Sequence, residues 1–271
     1  MGIYEKAIQR VLPGRIIRQF VKLLPFDLEL KVRWDCIARP HYAFGLYHAA
    51  VQARALGVRE ISAIEFGVAG GKGLVNLEKV GEIVTRDTGV EIKVFGFDTA
   101  EGLPKAVDYR DLPYVWKQGY FKMDVAALKR QLRKAQLVLG DVAETVLSFR
   151  KDYTPPPIGF VAIDLDYYSS STSALKIFDA VEASLPRVFC YLDDCIGTDW
   201  ELHSEFAGEL LAIAEFNERH PKTKIAKIHC LARKRPRPAY WNDVMFVCHF
   251  FDHPLYCKHV LPQKDWQLSL G

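Results

Sequence analysis

The sequence predicts an α/β fold, a seven-stranded and mostly parallel sheet with helices on both faces. Three observations predict it. From residue 60 almost to the carboxyl terminus, short apolar runs alternate with segments of helical periodicity. The first five of those runs each end in an acid: Glu65, Asp98, Asp141, Asp164 and Asp193. The composition, 49% hydrophobic and 25% charged over 271 residues, is that of an ordinary globular chain able to bury a sizeable core. Runs apolar along their whole length suit strands covered on both sides, as in parallel sheets.

Taken in order, residues 1–59 read as a helical extension. Its first part is an amphipathic basic stretch with Ile3, Ala7, Ile8, Val11, Ile16, Ile17, Phe20 and Leu24, interrupted at Pro13-Gly14. Core packing or a subunit contact, hence a possible homodimer, is the expectation for it, ahead of a membrane-surface helix. Arg39, Pro40, His41 and Tyr42 open a second helix leading into the sheet domain, residues 60–271. There the strands are 61–66, 92–98, 136–141, 158–164 and 187–193, with 224–230 and 243–250 closing the set; helices follow at 74–84, 142–149, 171–183 and 205–219. Between the second and third strands, residues 102–134 hold Tyr109, Tyr114, Trp116, Tyr120 and Phe121, a lid-like insertion or an aromatic satellite core.

A formal charge of +3 gives no reason to expect nucleic acid as a partner, and Arg233–Arg237 reads as a solvated basic loop. No apolar run approaches the ~20 residues of a membrane span, and the amino terminus lacks a signal-peptide layout. The six cysteines show no CxxC or zinc spacing, with Cys190 and Cys248 inside apolar runs. A cytoplasmic, reduced protein without membrane contact is expected.

Chemistry concentrates where the strands end. Ser62 to Gly73 is an apolar strand ending in Glu65-Phe66, then a turn with Gly67, Gly70 and Gly71, then a helix start with Gly73. Glycines there let the backbone bend sharply and approach a ligand closely. A carboxylate just before the turn repels phosphate but suits an ammonium group or hydroxyls. Asp98, ending the second strand, is placed to accept both hydroxyls of a ribose. Several carboxylates on one sheet edge repel one another unless donors or a cation stand between them.

The turn resembles the ExGxxxG-type first motif of class I S-adenosylmethionine-dependent methyltransferases, whose fold is Rossmann-like. Phe97 to Pro104, together with Asp164-Leu165-Asp166-Tyr167-Tyr168 and Asp193-Asp194, is similar to the macrocin O-methyltransferase (TylF-like) group. The similarity runs over residues 60–200. It implies S-adenosyl-L-methionine bound by Glu65, Phe66, Gly67, Gly70, Gly71, Asp98 and Asp141, the last holding the adenine amino group or simply capping the next helix. It further implies a divalent cation on Asp164, Asp193 and Asp194. Ligation by carboxylates alone suits Mg²⁺, Mn²⁺ or Ca²⁺ rather than zinc.

The implied reaction is methylation of a hydroxyl on a small-molecule acceptor. Asp164 would act through the cation; His203 is the first candidate for the base, followed by Asp166 and Tyr168. His203 also suits a cap on the helix beginning near Glu205, and His41 and His48 could reach the pocket from the leading helix. Residues 102–134 hold no histidine, a departure from the sugar-methylating group. Two other readings compete: a metal-dependent glycosyltransferase using Asp164-Leu165-Asp166, and a non-catalytic adenosyl-ligand-binding protein whose acids would not converge. A nicotinamide dehydrogenase is disfavoured because the glycines fall out of register with GxGxxG.

Overall fold

The structure is a computed structural model and describes residues 14–261. Seven strands form one sheet: β1 (Glu60–Phe66), β2 (Glu91–Asp98), β3 (Gln136–Leu139), β4 (Ile158–Ile163), β5 (Ser184–Leu192), β6 (Thr223–Lys227) and β7 (Met245–Phe250), in the order β3-β2-β1-β4-β5-β7-β6. The first five run parallel, while β7 is antiparallel to both β5 and β6. Strand order reverses between β1 and β4, so the carboxyl ends of those two strands flank the crevice where ligands enter sheets of this kind.

Eight helices surround it among the described residues: α1 (Gly14–Leu23), α2 (Leu28–Arg33), α3 (Pro40–Ala55), α4 (Lys72–Thr88), α5 (Val125–Lys129), α6 (Val142–Tyr153), α7 (Tyr168–Ala174) and α8 (Gly208–Arg219). Helix α3 packs on α4, β4 and β5, and α6, α7 and α8 pack side by side. Tyr42, Leu46, Ala49, Ala50 and Ala53 of α3 are fully buried in the same core as the central strands. The helix expected over 171–183 starts earlier, at Tyr168, and beyond Ala174 tightens into 3₁₀ turns at Leu175–Phe178 and Val181–Ala183. Its three consecutive serines and a threonine are weak helix formers, so tertiary packing decides its extent. The next helix likewise begins at Gly208 rather than near Glu205. Cys190 and Cys248 are buried as small hydrophobes on neighbouring strands.

The apolar positions Ile3, Ala7, Ile8 and Val11 lie outside the described residues. No helix among the described residues is long and apolar enough to cross a membrane.

The insertion 102–134 is tied down at two points. Asp111 is buried and accepts hydrogen bonds from the backbone N–H and the hydroxyl of Ser169, at 2.8 and 3.0 Å. Glu78 of α4 accepts from the backbone N–H groups of Arg133, Lys134 and Ala135. Tyr109, Tyr114, Tyr120 and Phe121 are exposed, while Trp116 is half-buried and packs edge-on against Phe121, ring centroids 5.9 Å apart.

Gly67 is the glycine packed most tightly against another stretch of backbone among the described residues. Its φ is +83°, and a Cβ there would stand 1.7 Å from the carbonyl oxygen of Asp164. Phe66 and Gly67 are locked to the neighbouring strands by Asp164 N–H to Phe66 C=O (3.0 Å) and Gly67 N–H to Phe97 C=O (2.9 Å). Gly67→Ala should therefore destabilise the fold by at least about 2 kcal/mol. That corresponds to a melting temperature lower by roughly 5 °C, measured by calorimetry, and an unchanged melting temperature would contradict the packing.

Candidate active site

Sequence places an acid at the end of each of the first five strands, and the fold decides which of them meet. A cavity of about 210 Å³ opens at the carboxyl edge between β1, β2 and β4. Gly67, Asp98, Asp141, Asp164 and Asp166 line it, with Phe121 and Leu103 contributed by the insertion.

Glu65 sits beneath the glycine turn, 2% exposed. The Tyr42 hydroxyl donates to its Oε1 at 2.6 Å, whereas Oε2 is buried without any partner. Burial pushes its carboxyl up to about 7, against the Tyr42 hydrogen bond and the charge of Arg39. The first turn of α4 crosses directly over it: a Cβ on Gly73 would lie 1.8 Å from Oε1. Gly73 is required for that close approach. Gly71, φ +79°, caps α4 against Leu128, and Gly70 is open to solvent.

Asp98 holds the turn from the far side. Its Oδ2 accepts from the backbone N–H groups of Val68 and Ala69 (2.9 and 2.8 Å), and its Oδ1 from that of Ala100 (2.6 Å). A carboxylate has about four lone-pair sites, so it retains capacity for a ligand hydroxyl. Asp141 is the N-cap of α6, accepting from the Ala143 N–H at 2.8 Å, while also lining the cavity. Both roles that the sequence left open for it are thus compatible. Phe66 turns its ring into the core against Phe97, centroids 4.5 Å apart, which leaves only its backbone near the turn.

At the other end Asp164, Asp193 and Asp194 each present a carboxylate oxygen within 4.8 Å of the others. Burial, then Asp193, Asp194 and Glu65, drive the Asp164 carboxyl well above the ordinary range; Arg39 opposes them. Asp194 Oδ2 accepts from the backbone N–H of Leu165 (3.2 Å) and of Asp166 (2.8 Å). The Tyr191 hydroxyl donates to Asp193. Asp166, φ +60°, is buried, and desolvation followed by Asp164 and Asp193 pushes its carboxyl up to about 8.

His203 is brought in from the loop after β5, its side chain 2% exposed and its Nε2 3.5 Å from Glu201 Oε2. Neither ring nitrogen has a hydrogen-bond partner, and it does not cap α8, whose N-cap is Ala207. Burial lowers its pKa, with Glu201 and Asp193 pulling the other way. Tyr168 is not among the residues lining the cavity. Its hydroxyl donates to Glu215 (2.7 Å) and accepts from Arg110 (3.0 Å), whose guanidinium lies 4.4 Å over its ring. His41 stacks on Tyr191 at 4.2 Å with both nitrogens unpartnered, and burial lowers it to about 3. His48 faces a separate groove with Phe44 and Tyr47.

Three participants escape a reading of motifs. Arg39 has φ +47° and holds its guanidinium 5.1 Å over Tyr42, where its charge acts on Glu65 and Asp164. Tyr42 is the second. Glu209, 1% exposed in the first turn of α8, accepts from the Asp194 N–H at 3.0 Å, and its Oε1 is unpartnered. Burial and the three aspartates raise its carboxyl far above the ordinary range. An acid in a helix's first turn looks like an ordinary dipole partner, so only the fold reveals its neighbours.

No protein-family model matches the chain, and no curated protein matches it by sequence. Solved structures do match in shape. A structure of CalS11, described as a calicheamicin methyltransferase, aligns with a TM-score of 0.54 at 18% identity, covering 93% of this chain and 95% of that one. The O-methyltransferase NovP aligns with a TM-score of 0.54 at 11% identity, covering 88% and 99%. The chain shares the Rossmann-like α/β fold of these two methyltransferase structures.

The buried Glu65 carboxyl makes a pH signature. Its folded pKa, about 7, lies above the ordinary 4.5. As pH rises from 4.5 to 7 the unfolded chain ionises this group first, so the folded state loses up to about 3 kcal/mol across that window. Glu65→Gln should abolish this loss, so its melting temperature relative to the wild type should climb between pH 5 and pH 8. An equal offset at both pH values would sink the idea.

Proposed function

We propose that the chain is an S-adenosylmethionine-dependent methyltransferase that methylates a hydroxyl of a small-molecule acceptor with the help of a divalent cation. One observation carries the reading: a single cavity runs from Asp98 and Asp141 past the turn above Glu65 to Asp164, which belongs to the converging acid trio. The two matching structures with the same fold, a methyltransferase and an O-methyltransferase, support it.

The residues present fit the cofactor. Glu65 Oε2, buried and without a donor, awaits a cationic or N–H group, and the glycine turn leaves no Cβ between backbone and ligand. Asp98 keeps acceptor capacity for one ribose hydroxyl beside the three backbone N–H groups it already serves. When bound, the cofactor supplies a methyl carbon on a positively charged sulfur. The trio fits a hard cation, whose contribution would be to lower the pKa of a ligated hydroxyl.

The remaining work falls to the chain. Asp164, Asp193 and Asp194 gather charge that a cation neutralises. His203, uncharged and with a free ring nitrogen, takes the acceptor proton; Asp166 stands next in line. Phe121 and Leu103 of the insertion cover the cavity and restrict water. Asp164 groups with Asp193 and Asp194, and the cavity begins at a glycine turn over a carboxylate, which a nucleotide diphosphate would not favour. Both points weigh against the glycosyltransferase, and the convergence weighs against a non-catalytic binder.

Thermal shift tests the reading. S-adenosylhomocysteine at 100 times its dissociation constant should add about 2.7 kcal/mol, roughly 5 °C or more in melting temperature. NAD and UDP should add nothing. Stabilisation by UDP with Mn²⁺, and none by S-adenosylhomocysteine, would overturn the proposal. Asp164→Asn and Asp194→Asn should each remove the response to Mg²⁺ and keep the response to S-adenosylhomocysteine. An intact Mg²⁺ response in both variants would remove the cation from the site.

A further inference from the structure

Helix α1 has the sequence of a two-sided surface helix, with Arg15, Arg18 and Lys22 and no acid. Among the described residues, one edge of its apolar arc is used internally: Ile17 and Val21 close a small core with Trp34. The rest of the arc faces water, with Ile16 42%, Phe20 55%, Leu23 79% and Leu24 45% exposed, followed by Phe26 at 40%. Large apolar side chains gathered on one face mark an interaction site more often than scattered ones do.

What surrounds them is cationic. Arg237, the last residue of the basic run 233–237, lies across a groove from Ile16, Phe20 and Leu23. Arg18, Lys22, Arg233, Lys234 and Arg237 are all exposed. Of the nearby acids, Asp27 caps α2 and Asp35 accepts from the Trp241 indole, while Glu29 remains exposed. Arg235 does not share in this surface, being folded over Phe44 and Trp241. Through Arg237, the amphipathic start and the end of the basic run, neither of which serves the candidate active site, share one surface.

We propose that this face docks on an anionic lipid bilayer. Phe20, Leu23, Leu24 and Phe26 enter the boundary between headgroups and acyl chains, and Arg18, Lys22 and Arg237 meet the phosphates. Ile17 and Val21 meet the core packing that periodicity suggests; for the outer residues the proposal departs from the subunit contact it also allows. Symmetric pairing with a second copy would set the same cations against each other. Residues 1–13 hold Lys6 and Arg10 against a single acid, Glu5, and so offer no countercharge.

Co-sedimentation of the full chain with phosphatidylcholine vesicles, with and without 30% phosphatidylglycerol, tests the surface. Binding should require the anionic lipid, weaken in 0.5 M NaCl, and fall about tenfold or more in the double variant Phe20→Glu, Leu23→Glu. That variant should keep its melting temperature, since both side chains are exposed. No sedimentation with phosphatidylglycerol vesicles overturns the proposal: a doubled mass in light scattering then gives the face to a second copy, and a monomer leaves it to residues 1–13 or to water. Equal binding by the variant overturns it as well.

Discussion

Crowding of carboxylates at one sheet edge is the constraint around which this molecule is arranged. Burial and the charges of neighbouring acids, Asp193 among them, push up the carboxyls of Asp164, Asp166, Asp194 and Glu209, and Glu65 adds to the rise at Asp164. Two buried charges of like sign a few ångströms apart cost several kcal/mol even at an effective dielectric of 20. The fold meets that cost with donors. Tyr42 serves Glu65, backbone N–H groups serve Asp194, and Tyr191 serves Asp193. Arg39 adds a positive charge from the amino-terminal side. Those contacts pin the loops after β4 and β5 to each other, and this fixes the acid trio in space.

What the donors leave unmet is as informative. Glu65 Oε2, Glu209 Oε1 and both nitrogens of His203 are buried and unpartnered. Buried polar groups are ordinarily satisfied, and the charge of Glu65 and of Glu209 acts on Asp164 and on the acids beside it, so these unmet oxygens belong to the same group of carboxylates. The same economy governs the glycines. Gly67 and Gly73 are needed because backbone or carboxylate oxygens occupy the space of their absent Cβ atoms, so the turn cannot move away from Glu65 without dismantling β1 against β4.

The amino-terminal part belongs to the site as much as to the core. Helix α3 buries Tyr42 under the sheet edge, and its unusual left-handed start at Arg39 swings the guanidinium toward the acids. The insertion completes the opposite wall. Asp111 and Glu78 hold it at two points, leaving Phe121 over the cavity and Tyr114 hydrogen-bonded to the Glu201 carbonyl beside His203.

The α/β class, seven strands, the glycine turn and the acidic strand ends were all legible in the sequence, because hydrophobic period and turn chemistry are local. Which helix formed over 168–183 was not, since serine-rich segments take their shape from packing. Nor could spacing along the chain say that Asp98 would spend its oxygens on Val68, Ala69 and Ala100, or that Tyr168 would turn to Arg110 and Glu215. Residues as distant as Arg39, Tyr42, Asp164, Asp193 and Glu209 meet only because strand order reverses between β1 and β4, bringing four separate loops and helix starts to one edge. The residue types of the site are written locally. Their distances, their burial and the donors each one finds belong to the tertiary structure, because electrostatics acts through space and not along the chain.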